Sequence, residues 1–447
     1  MEEYLETLLE QIRCKKAHDL VRREIEGHME EQISENMAEG MTRKEAVEAA
    51  VKDMGDPVAT GVELDRIHRP QVEWRLVLVV AGLTLFSLIA HYFMARDCQA
   101  MGNYSWKSEL IVSVLGLILM GFVYRLDYTW IGQYAKWIEG IFCGSMLGSI
   151  WLARPIHGAR AYVNFGWTSI STVLILHLFV PIYGAILFQY RGTGKRGLLK
   201  SVLWIIMPVS LALGIPNIGL AMMMGIVLSA LLSIAVWKGW FQISKKRFLF
   251  LYWGSLLILP LLLFEILLKF PLFQNSKNMN LQFYLGDLPN GIYSAQELLT
   301  KMITGSHWIG STHLEDLEQL PSVVHTYVLT SMAAYYGVVI AIVAVGILLF
   351  MTAKIFSIAN HQKNQLGQMM GYGCGFVFLS LIVSNVAMNL GVTVWSYGDL
   401  PFLSASGSTA LVSYLLMGIV LSTYRYKNIL PCHSKKKRKV KIRIEEV

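Results

Sequence analysis

Residues Asn385 to Ser408 read NVAMNLGVTVWSYGDLPFLSASGS. The stretch joins two apolar runs, yet it is dense in Asn, Gly, Pro and Ser. Backbone that leaves a helix at membrane depth must find hydrogen-bond partners in protein or water, because lipid offers none. The stretch therefore predicts a break between two transmembrane helices that lines a cavity. Asn385 and Asn389 stand four apart and share one helix face. Hydrogen bonding between helices and lining of the cavity both suit them.

Composition agrees with this reading. Of 447 residues, 54% are hydrophobic and only 16% charged, with a mean hydropathy of +0.46. A soluble domain carries more charge than that. The predicted fold class is all-α, a polytopic membrane protein of about ten transmembrane helices with a small N-terminal cytosolic helical bundle. The spans are expected near 75–95, 108–124, 137–153, 167–189, 199–214, 216–236, 248–268, 327–353, 367–389 and 405–424. The chain divides into a cytosolic module over 1–70, a membrane body over 71–430 with a long loop at 269–326, and a basic tail over 431–447.

In the module, apolar residues recur at helical spacing in Tyr4, Leu5, Leu8, Leu9 and Ile12, and again in Leu20, Val21, Ile25 and Met29. Thr42 and Glu45 form a capping box ahead of a third helix, which Gly55 and Pro57 stop. Three short helices are thus expected. The opening MEEYLETLLEQ is acidic and amphipathic, unlike a cleavable signal peptide.

Orientation follows from Lys and Arg in short loops. Alternate loops carry Arg191, Lys195, Arg196 and Lys200, then Lys238, Lys245, Lys246 and Arg247, then Lys354 and Lys363. The opposite loops are poor in cations. The rich set is assigned to the cytoplasm, which places both termini inside and the 269–326 loop outside. The net charge of +8 and the tail SKKKRKVKIR then fit anionic lipids of the inner leaflet better than nucleic acid. The five Cys are scattered and predict neither a disulfide framework nor a metal site. No phosphate-cradling loop or nucleophile elbow occurs, so no cofactor is expected.

The opening stretch resembles a run of the SEDS family (FtsW/RodA/SpoVE), NxGxNxGLxPxTGxxLPFxSYGGSS. Asn385, Asn389, Gly391, Leu400, Pro401, Phe402, Ser404, Gly407 and Ser408 match it, and Ala405 stands in place of its Tyr. In the long loop, Gln296 and the Gly305 to Gly310 run resemble a Gln and Gly-rich stretch of the family. LPSVVHTYVL is similar to its LPExHTDFIF, with Leu320, Pro321, His325 and Thr326 fitting around one inserted residue. The module's GMTRKEAVEAAVKDMGDP resembles a permease prefix domain. The resemblance implies a bacterial plasma-membrane protein that handles lipid II or a related undecaprenyl-linked precursor. It further implies peptidoglycan glycosyltransferase activity and a class B penicillin-binding protein as partner.

The resemblance also shows what has changed. The family's catalytic Asp falls on Tyr327, its neighbouring Glu on Ser322, and its EELG on Ala334, Tyr335 and Tyr336 before Gly337. A general base at neutral pH calls for a carboxylate, whereas Tyr titrates near ~10. Glu315, Asp316 and Glu318 are candidate replacements, with solvated loop charge as the alternative. HGARAYVNFG is similar to the family's NGAxRWIxxG, so Arg160 and Tyr162 join the candidate substrate-binding residues; Arg160 equally suits a headgroup anchor. His177 lies within a span where the family carries Lys, and either binds ligand or hydrogen-bonds across helices. His325, Thr326, Asn385, Asn389, Ser404 and Ser408 complete that set. Glu265 is read as the partner of Lys269 at i,i+4. Three functions stand: a glycan polymerase with an altered base, a non-catalytic precursor-binding sensor or scaffold, and a lipid-linked precursor transporter.

Overall fold

The computed structural model describes residues 1–97, 104–152, 162–164, 169–171, 173–215, 217–267, 295–312, 325–393 and 398–427. It forms two compact units. One comprises Met1–Val72, Gln362–Asn364 and the segment from Tyr424; the other comprises Glu73–His361 and Gln365–Thr423. The basic tail at 431–447 and most of the 269–326 loop lie outside the described residues.

The first unit holds four helices, α1 (Glu2–Glu10), α2 (Lys15–Ala38), α3 (Arg43–Asp53) and α4 (Pro57–His68). Tyr4, Leu5, Leu8 and Leu9 of α1 are buried, as are Ala17, Val21, Ile25 and Met29 of α2. The expectation of three helices is corrected here. Gly55, at φ +73°, ends α3, but Pro57 opens α4 instead of blocking it. Pro suits a first helical position, where its missing N–H is not needed. Asp56 caps the helix, accepting from the amides of Val58 at 3.2 Å and Ala59 at 3.1 Å. Tyr4 then donates to Met54 O at 3.0 Å, and Asp65 accepts from the Arg13 amide at 2.9 Å.

The capping box forms as expected. Thr42 Oγ1 accepts from the Glu45 amide, and Glu45 Oε2 accepts from the Thr42 amide at 3.0 Å. The Thr42 hydroxyl and backbone hold Glu45 below the ordinary carboxylate range, because both stabilise the anion. The folded state thus binds this proton less tightly than the unfolded one. The box's contribution is present above the ordinary range and is lost as pH falls through the folded value. Hydrogen-exchange protection of the α3 amides should fall on acidification in the wild type. In Thr42→Ala it should be low at either pH. Equal protection in the two proteins would refute this.

The second unit contains α5 (Trp74–Asp97), α6 (Trp106–Arg125), α7 (Tyr128–Leu152), α8 (Val173–Gln189), α9 (Gly194–Gly214), α10 (Ile218–Trp237) and α11 (Lys245–Leu267). After these come α12 (Ala295–Gly305), α13 (Val328–Tyr336), α14 (Val338–Asn360), α15 (Gln365–Asn389) and α16 (Gly407–Arg425). Seven described helices, α5, α6, α9, α10, α14, α15 and α16, are long and apolar enough to cross a membrane. Helices α7, α8 and α11 take the places of the other expected spans. A two-stranded antiparallel hairpin, β1 (Tyr162–Asn164) and β2 (Ser169–Ser171), precedes α8, with Tyr162 opposite Ser171. The fourth span therefore begins at Val173, not at 167.

The eighth expected span, 327–353, is also corrected. It breaks at Gly337, whose φ of +103° separates α13 from α14. The loop after α12 occupies the break. His307 O and Trp308 O accept from the amides of Val338 at 3.1 Å and Val339 at 3.2 Å. These bonds satisfy first-turn amides of α14 that have no partner within the helix. A Cβ at Gly337 would lie 2.5 Å from Trp308 O, so only glycine fits.

Helices α8 and α15 form the tightest seam. A Cβ at Gly373 would lie 2.7 Å from Pro181 Cα, and one at Gly184 2.7 Å from Met369 O. Small residues at such crossings let backbones approach closely, which replaces the hydrophobic drive that lipid removes. Gly373→Val should cost ~1–3 kcal/mol through overpacking. Thermal unfolding in detergent measures it against Gly121→Ala, where nothing lies within 4 Å. Equal melting temperatures for the two variants would contradict the seam.

Candidate functional site: a strutted turn between the helices

The site is built around the turn His325–Thr326–Tyr327, which leads into α13 with Tyr327 as its N-cap residue. Asn385 and Asn389, on the last turns of α15, clamp this turn. Asn385 Nδ2 donates to Thr326 O at 3.2 Å, and Asn389 Nδ2 to the same oxygen at 3.0 Å. Asn389 Nδ2 also lies 3.0 Å from Asn385 Oδ1. Asn389 Oδ1 accepts from the Thr330 amide at 3.0 Å and from its hydroxyl at 2.9 Å. The four-residue spacing matters because it lets two amides converge on one carbonyl.

Ser404 holds the turn from the other side. Its hydroxyl donates to His325 O at 2.8 Å and accepts from the Leu400 amide at 2.9 Å. The Leu400–Ser404 segment is tightly wound, with Phe402 at φ +61°. Phe402 stacks on Phe378 at 6.0 Å and meets Tyr414 edge-on at 5.1 Å. These contacts hold a backbone conformation that L residues seldom adopt.

His177, fully buried on α8, reaches Gly398, two residues ahead of that segment. A Cβ at Gly398 would lie 3.6 Å from its Nε2. Ser408 sits in the first turn of α16 and takes no part in the clamp's hydrogen bonds described above. Among the described residues, the buried His325 Nδ1 has no hydrogen-bond partner. Tyr162 lies on β1 with its side chain outside those described. Arg160, Glu315, Asp316 and Glu318 lie outside the described residues, as does the side chain of Glu265.

A second polar group abuts the site. Ser87 Oγ, on α5, lies 3.2 Å from Leu403 O and 2.8 Å from Glu109 Oε1 on α6. His91 Nδ1 is 3.3 Å from the same Glu109 oxygen, and the Tyr104 hydroxyl donates to Glu109 Oε2. Burial, followed by the Glu109 contact, pushes the Tyr104 phenol well above its ordinary range. Neither His91 nor Glu109 was among the expected site residues, although each is an ionisable residue within an apolar span. Two tyrosines of α13 reach α5 as well: Tyr336 donates to Ala90 O at 2.8 Å and Tyr335 to Phe93 O at 3.3 Å.

Tyr327, expected at the family's catalytic position, is 2% exposed. Its carbonyl accepts from the Ser331 amide at 2.9 Å and hydroxyl at 2.8 Å. The turn is therefore rigidly positioned, while its side chain is a phenol instead of an acid.

Fold and site together define a multi-pass helical membrane protein with a hydrogen-bonded turn set among the ends of its helices. Residues 71–429 match the family model for FtsW/RodA/SpoVE, the cell cycle proteins, and the chain belongs to that family. Among its relatives are two proteins named probable peptidoglycan glycosyltransferase FtsW. That of Nitrosomonas europaea is 23% identical over 348 residues, covering 74% of this chain and 82% of the relative. That of Trichlorobacter lovleyi is 21% identical over 370 residues, covering 78% and 91%. Solved structures share the fold. One, titled for polymerization and crosslinking by a peptidoglycan synthase complex, superposes with a TM-score of 0.63 at 19% identity, covering 79% of this chain and 98% of that one. The rod shape determining protein RodA of Thermus thermophilus gives 0.55 at 16% identity, covering 80% and 97%.

Proposed function

We propose that this protein handles lipid II or a related undecaprenyl-linked precursor at the turn held by Asn385, Asn389 and Ser404, as a peptidoglycan glycosyltransferase-type protein. The observation that carries the reading is the clamp. It fixes the His325–Tyr327 turn by hydrogen bonds to two successive carbonyls, Thr326 O and His325 O. Asn385, Asn389 and Ser404 are positioning residues in this reading. Arg160, Tyr162, His177, His325 and Thr326 are left to face the precursor. The charge bias of the loops supports a site on the extracytoplasmic side, with both termini inside. The relatives' names and the synthase complex support a class B penicillin-binding protein as partner. The first 70 residues would act as a permease-prefix-like cytosolic docking module.

The burial of a tyrosine at the catalytic position favours a second reading, binding of the precursor without turnover. Incubating the purified full chain with lipid II, alone and with a class B penicillin-binding protein, separates the two. Glycan strands support the polymerase, whereas saturable binding without strands supports the sensor. Absence of both binding and product refutes precursor handling.

A further inference from the structure

Helix α7 buries one face along its length: Tyr128, Gly132, Ala135, Glu139, Cys143 and Met146, at steps of three and four. Such steps mark a single inward stripe. All its members are apolar, small or weakly polar except Glu139. Glu139 is wholly buried, and among the described residues neither carboxyl oxygen has a hydrogen-bond partner. It stands eleven residues past Tyr128, or ~16 Å along the helix, and two residues inside the span expected over 137–153.

Helix α7 packs against α8, α9, α15 and β1. Their titratable groups are His177 and Tyr183 on α8, Lys195, Arg196 and Lys200 in the first turns of α9, Tyr372 and Cys374 on α15, and Tyr162 on β1. Among the described residues, none bonds to Glu139. Within its electrostatic reach are the Cys143 thiol, one turn on, and the Tyr183 hydroxyl. Tyr183 donates its own proton to Ser201 O at 3.1 Å. Neither group brings a positive charge, and the ammonium of Lys136, three residues back on α7, lies over the Tyr190 ring at 4.1 Å. A carboxylate so buried without a hydrogen-bond donor would be far costlier than a neutral acid, and groups so placed take up a proton instead.

We propose that Glu139 is a proton-binding site of the membrane body, holding a neutral carboxylic acid on the inner face of α7. The site is separate from the strutted turn, and the inference stands whether or not the protein polymerises glycan. Its ligand is the proton itself, and glutamine is its isosteric mimic.

Infrared spectroscopy of the protein in liposomes tests this. At about pH 8, carboxyls with ordinary values near ~4 are ionised and lack the C=O stretch of a protonated acid. The wild type is expected to keep that band and Glu139→Gln to lose it. Should Glu139→Gln fail to assemble, Glu109→Gln serves as the second variant. A band retained there supports Glu139, because the variant removes the Glu109 carboxyl as the source. A wild type without the band, or a band that survives Glu139→Gln or vanishes in Glu109→Gln, overturns the proposal.

Discussion

Replacing Asn389 with Ala is expected to destabilise the membrane body by ~2–4 kcal/mol, the largest loss of any single side chain in the clamp. An average hydrogen bond between membrane helices is worth only ~0.6 kcal/mol, so the number of bonds alone does not set this size. What sets it is the groups left behind. Asn389 Oδ1 accepts from both the Thr330 amide and its hydroxyl. Both are buried, and alanine supplies no replacement. Asn385→Ala should cost less, about 1 kcal/mol, because Asn389 still reaches Thr326 O. Thermal unfolding in detergent ranks the two, and exchange of the Thr330 amide reports the same loss locally. Equal effects from the two substitutions would show that the clamp is not organised around Asn389.

Tyr327→Asp is the second large effect, and it follows from the proposed function. The change should raise glycan product from lipid II by at least ~100-fold over Tyr327→Asn, the lower end of what general acid–base catalysis supplies. Aspartate is ionised at neutral pH and can take a proton from an acceptor hydroxyl, whereas a phenol near ~10 cannot do so effectively. The position should accept the change. Tyr327 is the N-cap of α13, and Asp and Asn are both favoured there. Asn thus controls for shape and capping while withholding the charge. Equal product from the two variants would show that the turn does not carry the base.

Some of this organisation was legible in the sequence because it depends on neighbours along the chain. The Thr42–Glu45 box and the shared face of Asn385 and Asn389 are fixed by spacing, and both form. Elsewhere local rules compete. Pro57 can end one helix or begin the next, and the choice fell to the Asp56 cap and to the packing of α4 on α1. Gly337 sits within an apolar run that reads as continuous, but the loop after α12 supplies acceptors for the freed amides and stabilises the break. His91, Glu109 and Glu139 were visible as ionisable residues in apolar spans, as His177 was. Their contrasting environments were not visible, since partners 18 and 22 residues away decide them.

By itself, the sequence determined a helical membrane body and its kinship to SEDS proteins. These depend on composition, periodicity and motif, which are properties of the chain's order. Only the tertiary structure decided that Asn385, Asn389 and Ser404 spend their hydrogen bonds on the Thr326 and His325 carbonyls, and that Glu109 is paired while Glu139 is not. Burial and pairing depend on what other helices bring to a position, and in a medium without water those contacts fix both the cost and the chemistry of every polar group.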